Sequence, residues 1–106
     1  MSRIVKIYRN DDVEEIVAAI PRNHYHVRLL IRLKDQDIVL HEAVLAAITR
    51  AYLSIILHPT KRGVILVKKR FSSNEKKPGY ASIQLVEKEC SEKEAVNIIS
   101  DIISGG

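Results

Sequence analysis

Hydrophobic and polar residues alternate most regularly between residues 24 and 34. One side of an extended chain would carry Tyr25, Val27, Leu29, Ile31 and Leu33, whereas histidine and basic side chains fill most of the other side. Because successive side chains of a strand point to opposite faces of its sheet, this segment is predicted to be a strand. One apolar face and one basic face favour an antiparallel or mixed sheet with helices on one side only.

The residues before this strand show two further patterns. Residues 3–9, RIVKIYR, are typical of a strand. Asn10 is suited to cap a helix, and the acidic residues after it would lie at the positive end of the helix dipole. Apolar residues then recur at helical spacing as far as Pro21, namely Val13, Ile16, Val17 and Ile20. A first strand and a first helix are therefore predicted.

The middle of the chain predicts a long helix followed by a hairpin. Residues 38–57 are mostly apolar, and Pro59 follows soon after them, which indicates a helix that ends near residue 57. Two strands, 63–71 and 80–87, flank the segment SSNEKKPG. Its serine, asparagine, proline and glycine residues are common in turns, so the two strands are predicted to form a hairpin.

The last residues predict one more helix and complete the order of elements. Ser91 and Glu94 have the spacing of a capping box, and apolar residues follow at helical spacing, which indicates a helix over residues 91–104. The order is β-α-β-α-β-β-α. It predicts an α+β fold in a single domain, residues 1–106, built as a two-layer sandwich with an extended hairpin and a C-terminal helix.

The long helix over 38–57 is apolar around most of its circumference, so one sheet cannot cover it. We expect its spare side to contact another subunit, and place the dimer interface at four residues of the helix: Leu45, Ile48, Tyr52 and Ile55. The alternative is that the C-terminal helix packs there instead.

Positive charge is segregated into blocks along the chain, and the block with the largest excess is residues 61–86. The whole chain has a formal net charge of +4, whereas residues 61–86 hold seven Lys and Arg residues and one acid, Glu75. Five of these cations surround the predicted hairpin tip: Lys68, Lys69, Arg70, Lys76 and Lys77. A patch of one sign attracts polyanions, but it also keeps a protein in solution, so charge alone leaves nucleic-acid binding open.

Candidate catalytic and metal sites are weak. The chain has no glycine-rich phosphate loop, no G-x-S-x-G and no H-E-x-x-H motif, and we expect neither catalysis nor a cofactor nor a small-molecule substrate. His24 and His26 could hold a metal only if another histidine approached, and solvated strand histidines are the simpler interpretation. A single cysteine, Cys90, and no apolar leader predict a cytoplasmic protein. Charged residues interrupt the apolar stretch 38–57, which argues against a membrane span.

Three segments carry a resemblance to a known family. VKIYRNDDVEEIVAAI, residues 5–20, resembles the first strand and helix of the Alba family of small archaeal nucleic-acid-binding proteins. LLIRLKDQDI, residues 29–38, resembles the family's hydrophobic and basic strand with the start of its second helix, and EAV, residues 42–44, is similar to a triplet there. The resemblance covers residues 3–88, with the C-terminal helix as an addition. It implies a chromatin or RNA-associated protein that is a homodimer or a heterodimer with a related protein, and a nucleoid location if it binds DNA.

The resemblance also implies which residues contact nucleic acid. The hairpin cations named above would form an arm that neutralises phosphates of DNA or RNA largely independently of sequence. Arg9 stands where the family presents a lysine, and the basic strand face adds Arg28, Arg32 and Lys34. However, Asn10 and two aspartates replace the family's Gly-Lys-Lys pattern. The alternative function is therefore a protein-interaction module with weak or no general DNA binding.

Overall fold

A computed structural model describes residues 3–105 and has an α+β fold. After a 3-10 turn over Asn10–Asp12, the elements are strands β1 (Val13–Ala19), β2 (Arg28–Leu33) and β3 (Asp37–His41), helix α1 (Glu42–Ile56), strands β4 (Leu66–Arg70) and β5 (Ile83–Glu87), and helix α2 (Glu92–Gly105). The strands form a three-stranded antiparallel sheet in the order β1-β2-β3 and a two-stranded antiparallel sheet of β4 and β5. The chain divides into two compact units between Leu45 and Ala46.

Strand β2 is the centre of the first sheet, and the predicted strand is confirmed over Arg28–Leu33. Residues 24–27 precede this strand, and Tyr25, which was expected on its apolar face, is 91% exposed. Ile31 pairs with Ile16 of β1 and Ile38 of β3, while Leu33 at the end of β2 is buried. Because directly paired residues share a face of the sheet, this face is apolar across all three strands. On the opposite face Arg32 pairs with Glu15 on one side and Asp37 on the other.

The helix predicted between Asn10 and Pro21 is wrong, because most of that segment is strand β1. Ile16 and Val17 pair with Ile31 and Leu30 of β2, after a register shift between Val13 and Glu15. Three β-branched residues in seven positions suit a strand, where their stiff side chains pack on the pleated surface. Pairing with an adjacent hydrophobic strand has overridden the local helical spacing.

The strand predicted over residues 3–9 is also wrong, because that segment lies outside both sheets. Side chains rather than a backbone ladder hold it to the turn between β2 and β3. Lys6 Nζ lies 3.0 Å from Asp35 Oδ2, the Tyr8 hydroxyl donates to Asp35 Oδ1 at 3.0 Å, and Gln36 Nε2 donates to the Tyr8 hydroxyl at 2.7 Å. The apolar residues of this segment remain exposed, with Ile4 at 89%.

The long helix begins later than predicted, since residues 37–41 form strand β3 instead of its first turn. Leu40 pairs with Leu29 of β2, so this end of the apolar run completes the sheet rather than the helix. The Glu42 carboxylate at the helix start accepts the Val27 N–H at 3.3 Å and lies 2.7 Å from His26 Nδ1. These contacts fasten the start of α1 to the segment before β2.

The predicted hairpin and C-terminal helix are confirmed in the second unit. Hydrogen bonds from Phe71 N–H to the Ser82 carbonyl and from Lys88 N–H to the Ile65 carbonyl extend the β4–β5 ladder at both ends. The predicted capping-box side chains have other partners here. Buried Ser91 accepts the Ile65 N–H through Oγ at 3.1 Å, and Glu94 pairs with Lys88 at 2.9 Å. The start of α2 is thereby fixed to the segment that leads into β4.

Gly63 should be intolerant of even one added methyl group. A Cβ at this position would lie 2.8 Å from the Glu92 carbonyl oxygen and 3.0 Å from Ala95 Cβ, so Gly63→Ala would push α2 away from the segment before β4. We expect a loss of about 1–3 kcal/mol in the free energy of unfolding, measured by urea denaturation. Gly105→Ala is the control, because no atom lies within 4 Å of its added Cβ. Equal stability of the two variants would contradict this packing.

Candidate nucleic-acid interface

The register of the hairpin distributes its cations over both faces of a two-stranded ribbon. Lys68 and Arg70 lie on one face, together with Leu85 and Ile83, the β5 residues with which they are paired. Lys69 lies on the other face, where its Nζ is 5.0 Å from the centre of the Phe71 ring, a cation–π contact. Basic side chains therefore reach either side of the ribbon.

The loop between the strands contains a turn that is stabilised by Glu75, the only acidic residue of the loop. The N–H groups of Glu75 and Lys76 donate to the Ser72 carbonyl oxygen, at 3.0 and 3.1 Å. The Glu75 carboxylate accepts the Ser72 N–H at 2.9 Å, and this hydrogen bond is the main reason that the pKa of Glu75 is lowered. Gly79 has a φ of +85°, which a residue without Cβ adopts without steric penalty. Glu75 thus shapes the tip and forms no salt bridge with its lysines.

Among residues 3–105, no acid forms a salt bridge with any of the five hairpin cations. Four of these residues are exposed, and Lys76 is half-buried. A phosphate that approached them would not have to displace a carboxylate from any of them. The set predicted from sequence is therefore brought together on one hairpin as free positive charge.

The other predicted cations lie in the first unit, and two of them are neutralised. Arg32 Nε lies 3.0 Å from Glu15 Oε1. Lys34 Nζ lies 3.0 Å from Asp12 Oδ1, and this contact raises the pKa of Lys34. The pKa of Asp12 is lowered, mainly by the backbone N–H of Arg9 and then by Lys34. The carboxylates of Asp12 and Glu15 thus occupy part of this surface.

Within residues 3–105, the other two predicted cations of the first unit form no salt bridge. Arg28 donates from Nη1 to the carbonyl oxygen of Val27 at 3.2 Å. Arg9 is exposed and precedes the 3-10 turn. As candidates for phosphate contact they are isolated charges, whereas the hairpin places five cations on one element.

His24 and His26 precede strand β2 instead of lying in it, and both have local partners. His24 Nδ1 lies 2.9 Å from the Arg22 carbonyl oxygen, and His26 Nδ1 contacts Glu42, whose pKa is lowered mainly by that contact. Both histidines are exposed, as expected for solvated side chains. In the described part of the chain, no group of three or more His, Cys, Asp or Glu residues is arranged to hold a metal ion.

Helix α1 presents an apolar stripe that contains two of the predicted interface residues. Ile48 and Tyr52 are 52% and 62% exposed, and Ile56 continues the stripe one turn further at 60%. Leu45 and Ile55 are half-buried. Helix α2 therefore does not cover Ile48 and Tyr52, which argues against the alternative that the C-terminal helix occupies this side of α1.

A groove beside the hairpin was not foreseen from the sequence. It has a volume of about 560 Å³ and is lined by Arg50, Ala51 and Ser54 of α1, by Val64 and Leu66, and by Tyr80, Gln84, Leu85, Val86 and Glu87. Arg50 bridges its two sides, because its Nη2 donates to the Leu85 carbonyl oxygen at 2.9 Å. An arginine in the middle of an otherwise apolar helix was the one sequence signal for this contact.

Comparisons with protein-family models, with curated proteins and with solved structures gave no match to this chain. Within residues 3–105, neither helix combines the length and the apolar character needed to traverse a membrane.

Acid should weaken the turn at the hairpin tip. Glu75 has a lowered pKa in the folded chain, so its hydrogen bond contributes stability that is complete above the ordinary pKa of 4.5 and is lost as the pH falls through the lowered value. In an NMR titration, the Ser72 amide resonance should shift with a midpoint below pH 4.5. Glu75→Gln should abolish this shift. A midpoint at or above 4.5 would show that the carboxylate gains nothing from the Ser72 N–H.

Proposed function

We propose that this chain is a non-enzymatic nucleic-acid-binding protein whose β4–β5 hairpin is a basic arm for DNA or RNA. The observation that carries the proposal is the free charge of the arm: Lys68, Lys69, Arg70, Lys76 and Lys77 have no salt-bridge partner among the described residues. In contrast, Arg32 and Lys34 are paired with acids. The arm is therefore the better binding element, and the strand face of the first unit is secondary.

The arm would act through phosphates and not through bases. Lysine is a point charge on a flexible stem, and phosphate contacts fix position and affinity without carrying sequence information. Affinity would come largely from counterions that leave the nucleic acid when the cations replace them. Binding is therefore expected to be largely independent of sequence and steeply dependent on salt.

The Alba-like arrangement and its biological setting are part of the same proposal. The resemblance implied a helix followed by a hairpin, and α1 is followed by the hairpin of β4 and β5. The arm belongs to this part of the chain. The first unit has three strands where that resemblance implied a strand, a helix and a strand. The proposed function therefore rests on the hairpin. A cytoplasmic location, with association to the nucleoid if the ligand is DNA, follows as an expectation.

We further propose that the protein is a dimer through the exposed stripe of α1. A helix side with Ile48, Tyr52 and Ile56 more than half exposed leaves apolar surface in water. A second copy, or a related chain with a similar helix, would cover this stripe and place two arms in one particle.

The second candidate is a protein-interaction module without general nucleic-acid binding. It is favoured by a second exposed apolar stripe, on α2, which includes Val96, Ile99 and Ile103. In that case α2 would be the docking helix for another protein.

Loss of the arm lysines should abolish salt-sensitive binding. If each subunit makes about four phosphate contacts, the logarithmic salt slope of a dimer on duplex DNA would be about −7. Changing Lys68, Lys69, Lys76 and Lys77 together to Ala leaves Arg70 alone in each arm and should reduce the slope to about −2. The measurement is fluorescence anisotropy with a labelled duplex of about 20 base pairs and with a structured RNA, over a range of salt concentrations.

The matched control removes the same charge elsewhere. Arg3, Arg22, Arg62 and Lys93 also form no salt bridge among the described residues, and changing all four to Ala should leave the slope close to that of the wild type. Equal losses in the two variants would mean that net charge, not the arm, drives binding. No binding by the wild type near physiological salt would refute the function and favour the interaction module.

The α1 stripe should control the oligomeric state. Ile48→Glu combined with Tyr52→Glu would place two carboxylates where the proposed interface buries two large side chains, each worth about 1.5–3 kcal/mol. We expect the dimer dissociation constant to rise at least about 100-fold in analytical ultracentrifugation. Both residues are exposed in the single chain, so folding should survive. Ile103→Glu on α2 is the control, and a loss of dimer in that variant alone would assign the interface to α2.

A further inference from the structure

The groove between α1 and the hairpin has the mixed lining of a small-ligand site. Its volume of about 560 Å³ falls in the range of roughly 300–1,000 Å³ that is common for such sites. Ala51, Leu66 and Leu85 give it apolar walls, while Arg50 and Ser54 add polar groups. Tyr80 contributes an aromatic ring that is 57% exposed.

The polar groups of this lining retain bonding capacity. Arg50 donates from Nη2 to the Leu85 carbonyl oxygen, which leaves the other N–H groups of its guanidinium. Ser54 lines the groove with a hydroxyl group, which can both donate and accept a hydrogen bond. Glu87, the acid of the lining, is paired with Lys61 at 2.7 Å. A flat ring that carries hydrogen-bond donors and acceptors on its edge could therefore bond to both donors and acceptors of the groove lining.

The groove is continuous with one face of the arm. Side chains two residues apart on a strand share a face, so Leu66 in the groove is followed by Lys68 and Arg70 on the same face of β4. Lys68 is paired directly with Leu85, which also lines the groove. Lys68 and Arg70, which form no salt bridge within residues 3–105, therefore border the groove on the side of the hairpin tip.

We propose that this groove receives one unpaired base of a single-stranded nucleic acid, while Lys68 and Arg70 hold the phosphates next to it. The base would stack on Tyr80, a contact that tolerates any sequence because every base has a π-face, and its edge would face Arg50 and Ser54. A base in a duplex is stacked between its neighbours and could enter only by unstacking. The groove would therefore favour single strands over duplex. This inference rests on the proposed function, since it assumes that the arm binds phosphates.

The test compares three probes: a labelled oligoadenylate of about 20 nucleotides, an abasic strand of the same length, and a duplex of about 20 base pairs. Tyr80→Ala removes the stacking ring, and Ser54→Phe fills the groove from α1. Each should weaken oligoadenylate binding by about tenfold or more, and change binding of the abasic strand and the duplex by less than about twofold. Tyr80→Phe keeps the ring and should restore oligoadenylate binding.

Tyr25→Ala is the matched control, because Tyr25 is 91% exposed and lies outside the groove. Circular dichroism of each variant verifies that the fold is kept. Unchanged oligoadenylate binding by both groove variants would overturn the inference and leave the arm as a phosphate clamp. Equal losses for all three probes would also overturn it, because the variants would then act on the arm and not on a base. If the wild type binds none of the probes, the proposed function fails and this inference fails with it.

Discussion

The pairing of β4 with β5 is the interaction on which the proposed binding surface depends. Its register sets which β5 residues share a face of the ribbon with each cation. Lys68 is paired with Leu85 on one face, and Lys69 is paired with Gln84 on the other. A shift by one residue would exchange the two faces, and Leu66 would leave the groove. The contacts of Ser91 with Ile65 and of Arg50 with Leu85 tie the ladder to both helices of the same unit. The ladder is thus held by its neighbours as well as by its own hydrogen bonds.

The cations of the arm differ from three cations of the first unit in whether they contact an acid. Lys6, Arg32 and Lys34 of the first unit each face a carboxylate, so a phosphate could use them only by competing with that acid. The cations of the arm lie side by side, and none of them forms a salt bridge with an acid among residues 3–105. Their mutual repulsion is screened over about 8 Å at physiological salt. A polyanion that docks there relieves this repulsion and needs no ion pair to break. This difference, rather than the total charge, favours the arm as the binding element.

Elements whose sequence pattern is local were predicted correctly, whereas elements that depend on pairing with a distant strand were not. The hairpin and α2 were predictable because turn residues and helical spacing in those segments are local and agree with the tertiary contacts. Strand β1 was not, because Val13, Ile16 and Val17 fit a helix by spacing and a strand by their branched side chains, and only pairing with β2 decides between them. The prediction that residues 38–41 begin the long helix was wrong for a related reason. A continuous apolar run does not mark where a strand gives way to a helix. The hairpin cations could be identified because their position around the turn residues is visible in the sequence. The groove could not, because it forms through a contact between Arg50 and the carbonyl group of Leu85, which is distant in sequence.

The two proposed contacts, phosphates on the arm and a base in the groove, would be weak if taken singly. An arm of a few lysines can follow any polyanion but gives little residence time, since its contacts are exposed and exchange with salt ions. A buried base adds a contact that salt does not screen, and it fixes the strand relative to the arm. A dimer through α1 would repeat both contacts in one particle, so that a second contact forms at the effective concentration set by the first. Exposed apolar surface on Ile48 and Tyr52 and unpaired charge on the hairpin would then serve one purpose, because joining two subunits turns individually labile contacts into stable binding.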